Sequence, residues 1–187
     1  MGKTPTREEA FTLLKKYNKS EALIKHALAV EAVMRHYAKK YNEDVEKWGV
    51  VGLLHDLDYE MFPDQHCVKS AEILRENGIS EEIVNAVISH GYKICINVKP
   101  EHIMEKVLYT IDELTGLIAA AALMRPSRSV MDLEYKSVIK KYKSPAFAAG
   151  VDRSVIESGC EMLGLDLQSV IEEVILGMRS EAEAIGL

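Results

Sequence analysis

Apolar residues return along this chain at a period close to 3.6, and no stretch alternates in the manner of a strand. After Pro5-Thr6, the positions Phe11, Leu13, Leu14 and Tyr17 predict a short opening helix. Ser20 is placed to cap a second. Its stripe of Leu23, His26, Ala27, Val30, Val33, Met34 and Tyr37 marks a core-facing side. A third helix is expected from about Asp44 through Trp48, Val51 and Gly52 to His55. Asp64 is placed to cap a fourth, with His66, Ser70, Ile73 and Leu74 on one face and Asn77-Gly78 as its stop. Ser80 opens a fifth, which turns Ile83, Ala86, Val87 and His90 the same way before Gly91. Pro100 suits the first turn of a long sixth helix that passes Asp112 and ends near Met124.

The segment from Arg125 to Ser129 reads as a loop. A helix over about Leu133–Tyr142 follows, broken by Ser144-Pro145. Asp152 caps another that Gly164 ends, and a last amphipathic helix is expected from about Leu167 to Ala184. The pattern describes an all-α chain of one domain over 1–187, with a core over about 20–125 and a helical extension over about 126–187. The extension is too short to bury its apolar faces alone, so it is expected to pack on the first half.

Composition adds little to that picture and excludes some partners. The 48% hydrophobic and 28% charged content is that of a globular protein. A net charge of −6 argues against a nucleic-acid partner, whose affinity comes from cations on phosphates. No stretch approaches the ~20 apolar residues of a membrane span, and the amino terminus shows no apolar signal region. A cytoplasmic location with no membrane partner is the expectation. Cys67, Cys95 and Cys160 show no CxxC spacing, so neither a disulfide framework nor a cysteine zinc cluster is expected. They read as isolated core residues. Oligomeric state is not legible.

The chemistry concentrates on titratable groups where the pattern demands apolar ones. His55-Asp56 directly follows Gly52-Leu53-Leu54, and His26, His66 and His90 lie on the apolar faces of three other helices. Asp112 adds a carboxylate to a fourth. A core tolerates so many ionisable groups only if they converge on one another or on a cation. A neutral imidazole and a carboxylate together are good ligands for a first-row divalent metal.

Read in order, His26…His55-Asp56…His66…His90…Asp112 resembles the HD-domain superfamily of metal-dependent phosphohydrolases. The resemblance covers roughly residues 20–125 and implies an all-α bundle with ligands from several helices meeting at its centre. His26, His55, Asp56 and Asp112 match the family's minimal signature. His66 and His90 match the extra ligands of two-metal members, with Asp56 free to bridge. The chain departs from some of those relatives: Gly91 rather than a histidine follows His90, and Ala22 rather than a glutamate sits one turn before His26. Without a second ion, His66 and His90 are left to hydrogen-bond a phosphate or a metal-bound water.

What the resemblance implies is hydrolysis of a small phosphorylated molecule, with a nucleotide expected, by in-line attack of metal-bound hydroxide. The cofactor is one or two divalent transition-metal ions. Manganese, iron, nickel, cobalt, zinc and magnesium are not distinguished. Asp56 is a candidate for catalysis as ligand and bridge, and Asp58 for positioning water or a ligand histidine. Lys69, Lys93, Arg125, Lys143 and Arg153 are candidate phosphate cations. Lys143 and Arg153 are preferred, because they flank a proline break and a fresh helix start. His36 and His102, beside charged neighbours, read as surface residues. Some HD-type proteins hold two irons and perform oxygen-dependent cleavage, which is the alternative reaction. A metal-binding module without turnover is the third.

Overall fold

A computed structural model describes residues 2–187. Ten α-helices follow one another: α1 (Arg7–Tyr17), α2 (Glu21–Tyr41), α3 (Val45–Leu54), α4 (Val68–Glu76), α5 (Glu81–Ile88), α6 (Ile103–Leu123), α7 (Tyr135–Tyr142), α8 (Arg153–Leu163), α9 (Leu167–Arg179) and α10 (Ala182–Ile185). Among the described residues the only β-pairing is two isolated bridges, Lys3 with Ile79 and Tyr92 with Ile96. The fold is all-α. None of these helices is long and apolar enough to cross a membrane.

The centre of the bundle is α2, which packs on α3, α6 and α9. Its Val30, Val33, Met34 and Tyr37 are fully buried, against Leu53 and Leu54 of α3 and Leu108, Ile111 and Leu114 of α6. Each large apolar side chain so buried stabilises the fold by about 1.5–3 kcal/mol. Val170, Ile171 and Val174 of α9 and Ile156 of α8 belong to the same apolar cluster, so the carboxy-terminal helices share the core of the first six. Gly52 sets how closely α3 approaches α2: a Cβ there would stand 2.9 Å from Met34 Cγ and 3.1 Å from the Glu31 backbone. That approach brings the end of α3, with His55, into the heart of the molecule.

Several helix ends differ from the sequence expectation. Asp64 caps nothing: it lies in a short 3₁₀ turn, Pro63–Gln65, and α4 starts later, at Val68. His66 is extended and Cys67 takes a positive φ of 67°, which together hold the chain out of helix between the two. Pro100 precedes α6 by three residues. The cap there is His102, whose Nδ1 accepts the Met104 N–H while Glu105 returns to the His102 N–H. The last helix does not run unbroken to Ala184. The Ser180 hydroxyl donates back to the Gly177 carbonyl, an alternative to helical pairing, and α10 restarts after Glu181. His36 is half-buried rather than on the surface, paired at 2.5 Å with Glu173 of α9.

Candidate metal centre

Five separate segments deliver the ionisable groups to one place. α2 carries His26, the end of α3 delivers His55 and then Asp56, and α6 carries Asp112. His66 stands in the extended link before α4, and His90 in a 3₁₀ turn after α5.

The outer nitrogens of three imidazoles are already assigned. His55 Nδ1 lies 2.7 Å from the Gly52 carbonyl oxygen, and His90 Nδ1 lies 2.5 Å from that of Val87. A carbonyl only accepts, so each Nδ1 carries the proton and each Nε2 offers a lone pair inward. His66 Nδ1 donates likewise to Asp58 Oδ1 at 2.7 Å. The inward nitrogens then face one another. His26 and His55 bring their Nε2 atoms to 3.2 Å, and His66 and His90 bring theirs to 3.1 Å. In the His66–His90 pair, where both outer nitrogens carry the proton, lone pair faces lone pair, which at that distance is repulsive unless positive charge lies between.

Asp56 divides its two oxygens between these pairs. Oδ2 is 3.3 Å from His55 Nε2 and 3.9 Å from His26 Nε2, while Oδ1 is 3.5 Å from both His66 Nε2 and His90 Nε2. Asp112 Oδ1 completes the first group, 2.9 Å from His26 Nε2 and 3.2 Å from His55 Nε2. Donors about 2.0–2.2 Å from one ion stand roughly 3.0–3.5 Å apart, which is the spacing found. Two groups result, His26, His55, Asp56 and Asp112 on one side and Asp56, His66 and His90 on the other. The donor set fits divalent metal.

Electrostatics point the same way. Burial works to lower the His55 pKa, but the charges of Asp56 and Asp112 outweigh it and hold the ring well above its usual value. His66 is raised against its own burial by Asp58 and Asp56. Asp56 and Asp112 are held below the usual carboxylate range: burial opposes this, and the neighbouring imidazoles prevail. The site draws positive charge into itself.

Asp58 is fully buried and both oxygens are engaged, Oδ1 with His66 and Oδ2 with the Ser70 N–H at 2.7 Å. It cannot reach a water in the cavity, so its place is behind His66 and at the start of α4. Glu60 accepts the Lys19 and Ser20 N–H groups and ties down the entry to α2. A third group, His66, Cys67 and Cys95, also has ligand-like spacing. There, however, His66 has no nitrogen to spare, with Nδ1 on Asp58 and Nε2 beside Asp56. The cysteines are not isolated as expected: Cys67 Sγ and Cys95 Sγ lie 3.4 Å apart. Their hydrogen bond concentrates negative charge on Cys95 and lowers its pKa to about 6.

The centre opens into a cavity of about 520 Å³, whose walls add Tyr59, Ile94, Glu113 and the Gly150–Asp152 segment. Sequence reasoning missed Tyr59 and Glu113, whereas Gly150–Asp152 lies in the segment between Lys143 and Arg153 that it singled out. Glu113 follows Asp112 directly, which was the available signal. Burial and then the Asp112 charge raise it to about 7, and it accepts the Asp152 N–H at 3.2 Å. The expected phosphate cations are elsewhere. Neither Lys143 nor Arg153 lines the cavity, and Lys143 is exposed. The Arg153 guanidinium donates to the carbonyls of Tyr142, Ser144, Phe147, Ala148 and Val151, which occupies its donors in holding that segment folded. Lys69 pairs with Glu72 and Arg125 with Asp132. Among the cavity's lining residues there is no Lys or Arg.

The chain is 34% identical over 87 residues to a tRNA (cytidine(56)-2'-O)-methyltransferase of Thermoplasma volcanium, covering 46% of this chain and 26% of that protein. It is 39% identical over 72 residues to a Ribonuclease Y of Thermosipho melanesiensis, covering 36% of this chain and 14% of that protein. The chain thus matches about a quarter or less of the length of either relative. No solved structure matches. The family model of the HD domain matches residues 23–122, the stretch that holds all six convergent His and Asp residues. The chain belongs to the HD-domain family, whose members are generally metal-dependent phosphohydrolases.

Proposed function

We propose that this protein hydrolyses a small phosphate monoester of nucleotide size, using two divalent transition-metal ions. The observation that carries the reading is the division of the Asp56 carboxylate, one oxygen toward His26, His55 and Asp112 and the other toward His66 and His90. His26, His55, Asp56 and Asp112 would hold one ion, and Asp56, His66 and His90 the other. When bound, such ions lower the pKa of water and neutralise charge on phosphoryl oxygens.

The remaining residues shape what is admitted. Asp58 fixes the ring of His66 and its tautomer. A volume of about 520 Å³ is that of a small-molecule site. No Lys or Arg lines it to meet additional phosphates, so a monophosphate suits it better than a triphosphate. The same lining disfavours an RNA chain, whose backbone needs cations. The names of the two relatives, which speak of tRNA and of a ribonuclease, are therefore carried here only as far as a nucleotide monomer.

The test is release of inorganic phosphate from a panel of nucleoside monophosphates, sugar phosphates and nucleoside triphosphates by the manganese-loaded chain. Monoesters should be cleaved in preference, and chelation should abolish turnover. No release from any ester by protein holding both ions would sink the reading. The iron-dependent oxygenase remains a second reading on one observation: a cavity without Lys or Arg does not require a phosphate, and four imidazoles with two carboxylates suit iron as well. Oxygen uptake by the iron-loaded protein, tested with non-phosphorylated polyols and with phosphonates, separates the two. A module without turnover would bind metal and do neither.

A further inference from the structure

Cys67 and Cys95 come from segments 28 residues apart, and their sulfurs lie 3.4 Å from each other. One is buried and the other exposed. Each is tied to one imidazole of the His66–His90 pair. Cys67 follows His66 directly and sits at φ 67°, a conformation costly for a residue with a side chain. Cys95 belongs to a loop wound onto Gly91, whose carbonyl accepts the N–H groups of Ile94, Cys95 and Ile96. Gly91 in turn follows His90. A Cβ on Gly91 would stand 2.5 Å from Cys95 Sγ and 2.6 Å from Cys67 Sγ, so the thiols meet only because that residue has no side chain.

We infer that Cys67 and Cys95 form a reversible disulfide whose closure disables the His66–His90 half of the metal centre and spares the His26–His55–Asp112 half. The coupling rests on the two-ion reading above. Disulfide sulfurs stand about 2.05 Å apart, so this pair must approach by roughly 1.4 Å. Rotation of the two side chains supplies part of that movement, and the rest falls on the backbone at Cys67 or on the loop on Gly91. Both are one peptide unit from a ligand histidine. Metal–ligand distances in well-formed sites lie within about 0.2 Å of their reference values, so the part of this shift passed on to His66 or His90 weakens the hold on the second ion.

The oxidant is a small-molecule disulfide. Cys95, being exposed, gives its proton to solvent and attacks one sulfur, which releases one small thiolate. Cys67 then attacks the Cys95 sulfur and closes the internal bond, while its proton goes to the second departing thiolate. Two protein thiols are oxidised by two electrons, and the small disulfide is reduced to two thiols. Cys160, buried and away from this pair, is a built-in control.

The full chain loaded with manganese is treated with oxidised glutathione, alkylated, digested and weighed, and bound manganese is measured before and after. A linked Cys67–Cys95 peptide is expected, with Cys160 still alkylated and bound manganese falling from two equivalents to one. Dithiothreitol should restore both, and Cys95→Ser should keep two equivalents under the same treatment. A glutathione adduct on Cys95 with Cys67 still free to alkylate overturns the disulfide. Linked protein that retains both ions overturns the coupling. Reduced protein that never holds more than one ion refutes the two-ion reading, and the coupling with it, while the linkage is still read independently from the peptide mass.

Discussion

Asp58 holds His66 from behind, with Oδ1 2.7 Å from Nδ1, and its other oxygen accepts the Ser70 N–H at the start of α4. One buried carboxylate thus sets both a ligand's tautomer and the helix that follows it. Partners behind a metal-binding histidine typically change affinity by 10–100-fold. Asp58→Asn is expected to weaken the second manganese site by about that factor and leave the first unchanged. Calorimetric titration with manganese checks it, and two unaltered binding steps would remove Asp58 from this role.

Asp56 is the one group common to both halves of the centre. Asp56→Ala should therefore reduce bound metal below one equivalent, with helical content retained by circular dichroism. The residue follows α3 and is partly exposed, so its loss leaves no large void. Stoichiometric metal in the variant would contradict the assignment.

The metal-free protein should lose stability as pH rises. His55 and His66 have raised pKa values in the fold, so their contribution is complete below about 6.5 and disappears as pH climbs through the raised values. Glu113, pushed up to about 7, costs stability earlier, as pH rises from about 4.5 to about 7. Asp56 and Asp112 are lowered, so their contribution is present above about 4 and lost below it. The Tm of metal-free protein should peak between about pH 4 and 6.5 and decline beyond. Ions require deprotonated imidazoles, so excess manganese should reverse the slope. A flat metal-free melting profile between pH 6 and 9 would refute this balance.

Gly116 lies on α6 with open space where a Cβ would be. Together with His26 it borders both the metal cavity and an apolar neighbour of about 390 Å³. Gly116→Leu should obstruct the site and lower kcat/KM at least tenfold for whichever ester is cleaved. Metal content should not change. Thermal stability should be maintained or rise, because glycine within a helix costs about 0.8–1 kcal/mol relative to alanine. Unchanged kinetics would show that substrate does not pass this residue.

Arg153→Ala should act on stability and not on phosphate recognition. Five carbonyl oxygens between Tyr142 and Val151 lose a charged donor. The expected loss is about 1.5–3 kcal/mol, near 2–4 °C in Tm for each kcal/mol at this length. A normal Tm with a raised KM would return Arg153 to the substrate.

The helices were legible where local chemistry decides their ends. Asp152 accepts the Ser154 N–H at the start of α8, as expected of a cap, and Asp44, read only as the approximate start of the third helix, accepts the Lys47 N–H at the start of α3. Asp64 failed because the start of α4 is held from a distance, by Asp58, which no local window contains. The convergent histidines and aspartates could be read because each breaks an apolar face. Arg153 and the cysteine pair were misread for the opposite reason. An arginine wrapped by carbonyls and two thiols in contact look ordinary one residue at a time.

His26 and Asp112 meet across 86 residues of chain, one on α2 and the other on α6. A cation seated between them would be a clamp at the far ends of a long loop, comparable to a cross-link that comes undone when the ion leaves. For an ion that binds only the folded chain, each tenfold rise in its free concentration above the Kd adds about 1.4 kcal/mol of stability. The lifetime of this protein against proteolysis would then follow the metal supply of its surroundings, whether or not any substrate is present.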